Sequence, residues 1–166
     1  MLELLVMRHA KSDWDSGAGD DHERPLADRG VKAARTIGRF LARAEMVPEL
    51  VISSTAVRAR VTVELAAAAG EWRCPVEHTR AFYGADAGAV FSELVARSAP
   101  SRLMVVGHEP TWSELVSLLI GGGTVRMATA AVACVELPAD RWSAIEPGSG
   151  RLAWLVTPKL LRFADV

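Results

Sequence analysis

Residues 2–7, Leu-Glu-Leu-Leu-Val-Met, form an apolar run that stops abruptly at Arg8-His9, with the small residue Ala10 behind them. A run this short, bounded by polar residues, fits a buried strand rather than a globular helix. In an open α/β sheet, ligands gather beyond the carboxyl ends of the strands. Arg8 and His9 would stand at that edge on a stiff support, a fixed cation beside a candidate nucleophile. The pattern returns at Leu103-Met104-Val105-Val106-Gly107, which runs straight into His108. Two strands, each delivering a histidine at its end, point to one shared site.

The stretch Asp13 to Pro25 is polar and irregular, with Gly17, Gly19 and four aspartates. A loop of about a dozen residues usually has a functional or mobile character, and its place just after His9 makes it a rim or lid of the site. Asp28 reads as the N-cap of an amphipathic helix over Val31–Ala44, in which Ala34, Ile37, Leu41 and Ala44 keep helical spacing. Pro48 then introduces a short strand, Leu50–Ile52. Ser53-Ser54-Thr55 follows as a hydroxyl-rich turn suited to capping the helix Val57–Ala69. Cys74–His78 reads as a third strand, which Pro75 assigns to a sheet edge. A turn at Phe82–Asp86, a helix over Ala87–Arg97, the strand Leu103–Val106 and a helix over Thr111–Ile120 complete the alternation. Ala130–Leu137 and Leu152–Thr157 are strand-like and expected to join the sheet edge antiparallel. Strands alternating with helices predict a three-layer α/β/α architecture with a mostly parallel central sheet, and residues 1–166 read as one domain.

Half of the 166 residues are hydrophobic and the formal net charge is −1. That balance gives no general pull toward nucleic acid or anionic membrane, although local basic clusters could hold a small anion. Cys74 and Cys134 stand alone, without metal-ligand spacing, and read as buried thiols in a reducing compartment. With no cleavable leader and no apolar run of about 20 residues, the expected location is cytoplasmic.

Strand ends and one helix start thus supply Arg8, His9, Arg58 and His108. Arg58 and Arg60 lie in the first turn of their helix, where cations oppose the macrodipole unless an anion is bound beside them. A phosphoryl group in transfer needs fixed cations around its oxygens, and the planar fork of arginine pairs two oxygens at once. A histidine attacks phosphorus when the attacking nitrogen is unprotonated and the other nitrogen is held by a hydrogen bond. Taken singly, a histidine at a strand end is more often a structural residue than a catalyst, and Arg8 or Arg58 alone reads first as a surface charge. It is the four together that point to a site. No Cys, Asp or Glu cluster completes a zinc ligand set, and no GxGxxG follows the first strand. No metal or cofactor is expected.

Arg8-His9-Ala10 after an apolar strand resembles the Arg-His-Gly signature of the histidine phosphatase superfamily. The run Ser53-Ser54-Thr55-Ala56-Val57-Arg58-Ala59-Arg60-Val61-Thr62 resembles its second arginine motif, and Val106-Gly107-His108-Glu109 its second histidine motif. Arg8-His9-Ala10-Lys11-Ser12-Asp13-Trp14 and Glu23-Arg24-Pro25-Leu26 are similar to the SixA branch, the protein-phosphohistidine phosphatases. The resemblance implies a phosphoglycerate mutase-like fold and a two-step, metal-free reaction. His9 would be the nucleophile, with Arg8, Arg58 and His108 around the phosphoryl oxygens. Ser12 and Arg24 join Arg8, Arg58 and His108 as substrate-binding residues, while Lys11, Arg24 and Arg60 read equally as contacts to a protein substrate and as surface charges.

This chain also departs from the wider family. Relatives acting on sugar phosphates carry Gly-Glu where Ala10-Lys11 stand, Asn at the place of Asp15 and Gln at that of Val61. No glutamate matches their general acid. Asp86 is the nearest carboxylate and the candidate acid, with Glu109 a second and a helix N-cap the plain alternative for Asp86. An alcohol leaving group generally needs such an acid, whereas a phosphohistidine leaves more readily. The expected substrate is therefore phosphohistidine in a protein partner, with inorganic phosphate as product. The alternatives are a small phosphorylated metabolite, hydrolysed as a monoester, and a phosphate-recognition module without turnover.

Overall fold

The computed structural model describes residues 1–163. Six strands form one sheet: β1 (Leu2–Arg8), β2 (Leu50–Ser54), β3 (Val76–Thr79), β4 (Arg102–Gly107), β5 (Val132–Leu137) and β6 (Arg151–Val156). Their order is β3-β2-β4-β1-β5-β6. The first four are mutually parallel, whereas β5 runs antiparallel to both β1 and β6. Five helices pack on this sheet: α1 (Asp28–Arg43), α2 (Val57–Gly70), α3 (Ala87–Val95), α4 (Thr111–Leu119) and α5 (Pro158–Leu161).

Side chains alternate across a strand, and the central strands are apolar on both faces. Leu4, Val6, Ile52, Leu103 and Val105 join Val90 and Leu94 of α3 and Trp112 and Leu115 of α4 in one core. Leu5, Met7, Val51, Met104 and Val106 join Ala34, Ile37 and Leu41 of α1, Ala59 and Val63 of α2 and Leu161 of α5 in the other. The result is the expected α/β/α sandwich with a mostly parallel sheet. Among the described residues, no helix is long and apolar enough to cross a membrane.

Several boundaries differ from the sequence reading. Asp28 is not the N-cap of α1: Ala27 holds that position without a side-chain cap, and Asp28 is already helical. There its charge lies near the positive end of the macrodipole. Ser53 and Ser54 belong to β2, and α2 is capped by Ala56, again without a side-chain bond. The α3 helix ends at Val95, short of Arg97, while β5 begins only at Val132, because Ala130 sits in the left-handed region at φ 58°. Only β6 forms that edge of the sheet, since β5 lies between it and β1. Pro75 does mark an edge, as β3 is the strand at the opposite end. Cys134 is buried, but Cys74 is only half-buried, and both are free. The short helix α5 had no counterpart in the sequence reading.

The Asp13–Pro25 loop is more ordered than its composition implied. Its ends are zipped by the Ser12–Leu26 bridge and by the Asp13 N–H donating to the Pro25 carbonyl at 2.9 Å. A one-turn helix, Asp21–Glu23, sits inside it, capped by the Asp20 carboxylate.

Helices α1 and α2 approach so closely that a Cβ on Gly38 would fall 2.0 Å from the Ala66 carbonyl oxygen. Helix propensity alone would make Gly38→Ala stabilising by up to about 1 kcal/mol. Packing reverses that sign, because the backbones must separate, and we expect a net loss of about 2 kcal/mol. Urea unfolding checks it: the midpoint should fall while the slope stays the same.

Candidate active site

The strands β1 and β4 are paired in register so that Arg8 faces Gly107. His9 and His108 follow directly, and the His9 N–H donates to the Gly107 carbonyl at 3.0 Å. Their ring centroids lie 5.1 Å apart, tilted by 55°. The two histidines that the sequence placed at separate strand ends therefore share one site. A Cβ on Gly107 would lie 2.3 Å from the Trp112 ring, so only glycine lets β4 turn into His108 over that indole.

A cleft of about 200 Å³ opens here, lined by Arg8, His9, Lys11, Ser12, Trp14, Arg24, Arg58, His108, Glu109 and Thr129. A larger groove of about 640 Å³, lined by residues such as Ala87, Leu118 and Pro147, is mostly apolar and brings no comparable set of polar groups together. Burial falls from floor to mouth of the cleft: Arg58 is 5% exposed, His9 7% and Arg24 8%, whereas Trp14 is 69% exposed.

The His9 Nδ1 lies 2.7 Å from the Ala10 carbonyl oxygen. A carbonyl can only accept, so Nδ1 carries the ring proton and Nε2 keeps its lone pair. Burial pushes the His9 pKa down to about 3, helped by His108, Arg58 and Arg8 and opposed by the Ala10 bond. The ring is neutral at physiological pH. The Ala10 N–H, in turn, donates to Thr62 Oγ1 at 2.9 Å, and that hydroxyl donates to the Arg58 carbonyl at 2.6 Å. The backbone behind His9 is thus tied to the first turn of α2.

His108 pairs its Nε2 with Ser54 Oγ at 2.8 Å. Ser54 also accepts from the Ala56 N–H at 3.3 Å. With its hydroxyl proton given to Nε2, the His108 ring proton rests on Nδ1, which is buried and has no partner among the described residues. The opposite tautomer would leave two groups unpaired instead of one. Burial, with the Arg58 and Arg24 charges, pushes the His108 pKa down to about 4, against the opposing pull of Asp21.

Three arginines meet at the cleft. Arg8 Nη1 donates to the Met127 carbonyl at 3.0 Å, and burial draws its pKa below the usual guanidinium value. Arg24 donates to Ser12 Oγ and pairs with Asp21 Oδ1 at 2.8 Å. Arg58 donates to the Asp21 carbonyl at 2.6 Å and to its Oδ2 at 3.0 Å. Each of the three, like Arg60 and Arg97, also carries a buried Nε–H with no partner among the described residues.

Asp21 is the residue that sequence reasoning missed. Its carboxylate joins Arg24, Arg58 and the Tyr83 hydroxyl, the last at 2.9 Å. Hydrogen bonding from Arg24, then from Tyr83, and the Arg58 charge hold it well below the usual carboxylate range. A pairing 37 residues apart in sequence leaves no local signal. Trp14, at the end of the Arg8–Trp14 motif, lies on the rim with the Arg24 guanidinium 3.5 Å from its ring centroid.

Other expected residues fall differently. Ser12, Arg24 and Lys11 line the cleft, but Arg60 is not among its lining residues. Asp86 is also outside that lining: it is exposed and caps α3, accepting from the Ala89 N–H at 2.8 Å. Glu109 does line the cleft, with its two oxygens bonded to the N–H and hydroxyl of Ser113 at 3.0 and 2.6 Å.

The profile of the histidine phosphatase superfamily, branch 1, matches residues 4–90. An uncharacterized protein of Mycobacterium tuberculosis strain H37Rv is 35% identical, over 92% of this chain and 100% of its own. Phosphohistidine phosphatase SixA of Escherichia coli K12 is 28% identical, over 98% of each chain. The solved structure of the protein histidine phosphatase SixA complexed with tungstate superposes with a TM-score of 0.82 at 27% identity, covering 96% of this chain and 99% of that one. With its site at the ends of β1 and β4 and its sheet shared with SixA, the chain belongs to the histidine phosphatase superfamily, in the SixA-type branch.

Proposed function

We propose that this phosphatase removes the phosphoryl group from phosphohistidine in a protein partner, through an intermediate on His9. The observation that carries the reading is the buried, neutral His9 ring with a fixed Nε2 lone pair, set among the cleft-lining arginines Arg8, Arg24 and Arg58. Nε2 attacks phosphorus, the P–N bond of the substrate breaks, and its electron pair stays with the departing imidazole. That ring leaves neutral when its other nitrogen carries a proton. Water then attacks the phosphoryl group on His9, the Nε2–P bond breaks, and phosphate departs while Nε2 regains its lone pair. Arg8, Arg24, Arg58 and His108 bind the oxygens, each charge-assisted contact from an arginine contributing roughly 1.5–3 kcal/mol.

Support for phosphohistidine over a monoester comes from the carboxylates. Asp86 caps a helix away from the cleft, Glu109 is bonded to Ser113 through both oxygens, and Asp21 is held ionised by arginines. None is arranged to protonate an alkoxide leaving group. Small monoesters are accordingly poor substrates in this reading.

His9→Ala and Arg58→Ala should each lower turnover by roughly 10³-fold. Labelled phosphohistidine protein should leave phosphate on His9 of the native chain in a rapid quench and none on His9→Ala. Preference for metabolite monoesters over phosphohistidine would overturn the substrate assignment. Because the chain's own cations supply the positive charge, a chelator should leave the rate unchanged.

The two histidines also set a pH dependence. Their folded pKa values, about 3 and about 4, lie below the ordinary 6.5. The unfolded chain therefore binds more protons between those values, and stability falls as pH drops below 6.5. His9 alone should remove about 2 kcal/mol between pH 6.5 and 4.5. The melting temperature followed over that range should decline more steeply in the native chain than in His9→Gln.

A further inference from the structure

The exposed face of α1 carries Arg29, Lys32, Arg35, Arg39 and Arg43, against a single acid, Asp28, at the helix start. At 3.6 residues per turn these five cations fall on one strip about 21 Å long. Successive members are spaced three or four apart, the spacing at which like charges repel on a helix. Arg29, Lys32, Arg35 and Arg39 take part in none of the ion pairs seen among the described residues. A chain whose formal net charge is −1 thus concentrates positive charge on one helix face at some cost to that helix.

The strip begins at the cleft. The Ala27 N–H donates to the Lys11 carbonyl at 2.9 Å, and a Cβ on Gly30 would lie 2.2 Å from that same oxygen. Lys11 itself lines the cleft, so the first turn of α1 is fixed against the rim. The apolar face of α1 is buried against the sheet and α2, which leaves only its charged face for contact.

We infer that this face docks an acidic surface of the protein that carries the phosphoryl group, an inference that rests on the phosphohistidine-protein reading. A partner lying along Arg29, Lys32, Arg35 and Arg39 presents its phosphorylated residue to the cleft at the end of the strip. Complementary charge gives such a contact its steering and its register. A protein surface fits better than nucleic acid, because Asp15, Asp20, Asp21 and Glu23 are exposed on the loop leading into α1. A long duplex running past the strip would meet those acids, whereas an acidic segment or patch of a protein can end where the strip ends.

The test uses the full chain and fluorescein-labelled peptides without a phosphoryl group, so it reads the strip independently of turnover. By anisotropy at low salt, a glutamate-rich peptide should bind at least about tenfold more tightly than its glutamine-rich counterpart. The triple variant Lys32→Gln/Arg35→Gln/Arg39→Gln, or added salt, should abolish that preference. Arg35→Lys/Arg39→Lys should retain it. Like-charge contacts are removed in the triple variant, so its melting temperature should hold or rise, which separates lost binding from lost folding. In a second arm, the ratio of kcat/KM on an acidic phosphohistidine protein to that on phosphoramidate should fall about tenfold in the triple variant. The docking inference is overturned if the native chain does not distinguish the peptides, if the triple variant keeps the preference, or if a DNA duplex binds more tightly than the glutamate-rich peptide. Peptide binding without phosphohistidine turnover would instead overturn the substrate reading and leave the acidic docking face in place.

Discussion

The parallel pairing of β1 with β4 is the constraint on which the site depends. It sets Arg8 opposite Gly107 and so brings His9 and His108, 99 positions apart in the numbering, to ring centroids 5.1 Å from each other. A slip of one residue would send every side chain of β1 to the opposite face of the sheet. Both faces are closed by helices, and the two cores receive alternate residues of the same strands. The register is therefore specified twice, by Leu4 and Val6 on one side and Leu5 and Met7 on the other. The chemistry inherits its geometry from hydrophobic burial.

That support lets the site hold a neutral imidazole among cations. Burial disfavours the charged ring, and Arg8 and Arg58 add to the effect. The Ala10 carbonyl then decides which nitrogen is free. The cations are themselves buried and need counter-charge, because an unpaired buried guanidinium is costly. Asp21 supplies it to Arg24 and Arg58 together, from a loop that is half open to solvent. An anion bound between these arginines would face side chains already oriented, with little further ordering to do.

Much of this was legible in the sequence because it depends on local patterns. Strand ends, apolar runs and the Arg8-His9 and Gly107-His108 steps lie contiguous in the chain, and so the α/β/α sandwich could be read directly, with the strand ends and helix start that carry Arg8, His9, Arg58 and His108. Capping was less legible: Asp28 and the serines before α2 have the right chemistry, but the helices begin at Asp28 and Val57 with alanine caps. Ser54 was drawn instead to His108. Asp21 was invisible for a different reason, since its partners come from α2 and from Tyr83, and only the folded chain gathers them. Asp86 shows the converse, a carboxylate in suggestive sequence context that the fold assigns to the end of α3.

The division between cleft and strip follows from size. A cleft of about 200 Å³ is smaller than the pockets that enclose whole small-molecule ligands. If the substrate is the phosphohistidine protein proposed above, the phosphoryl group and the ring attached to it are the same for every partner. On that proposal, selectivity among partners comes from contacts outside the cleft. The face of α1 lies where such contacts are geometrically available, pinned by Gly30 to the backbone of Lys11. Its repelling charges weaken an isolated helix, yet α1 is stabilised by the apolar face it buries through Ala34, Ile37 and Leu41. The core can therefore carry an outer face chosen for recognition at the expense of local stability.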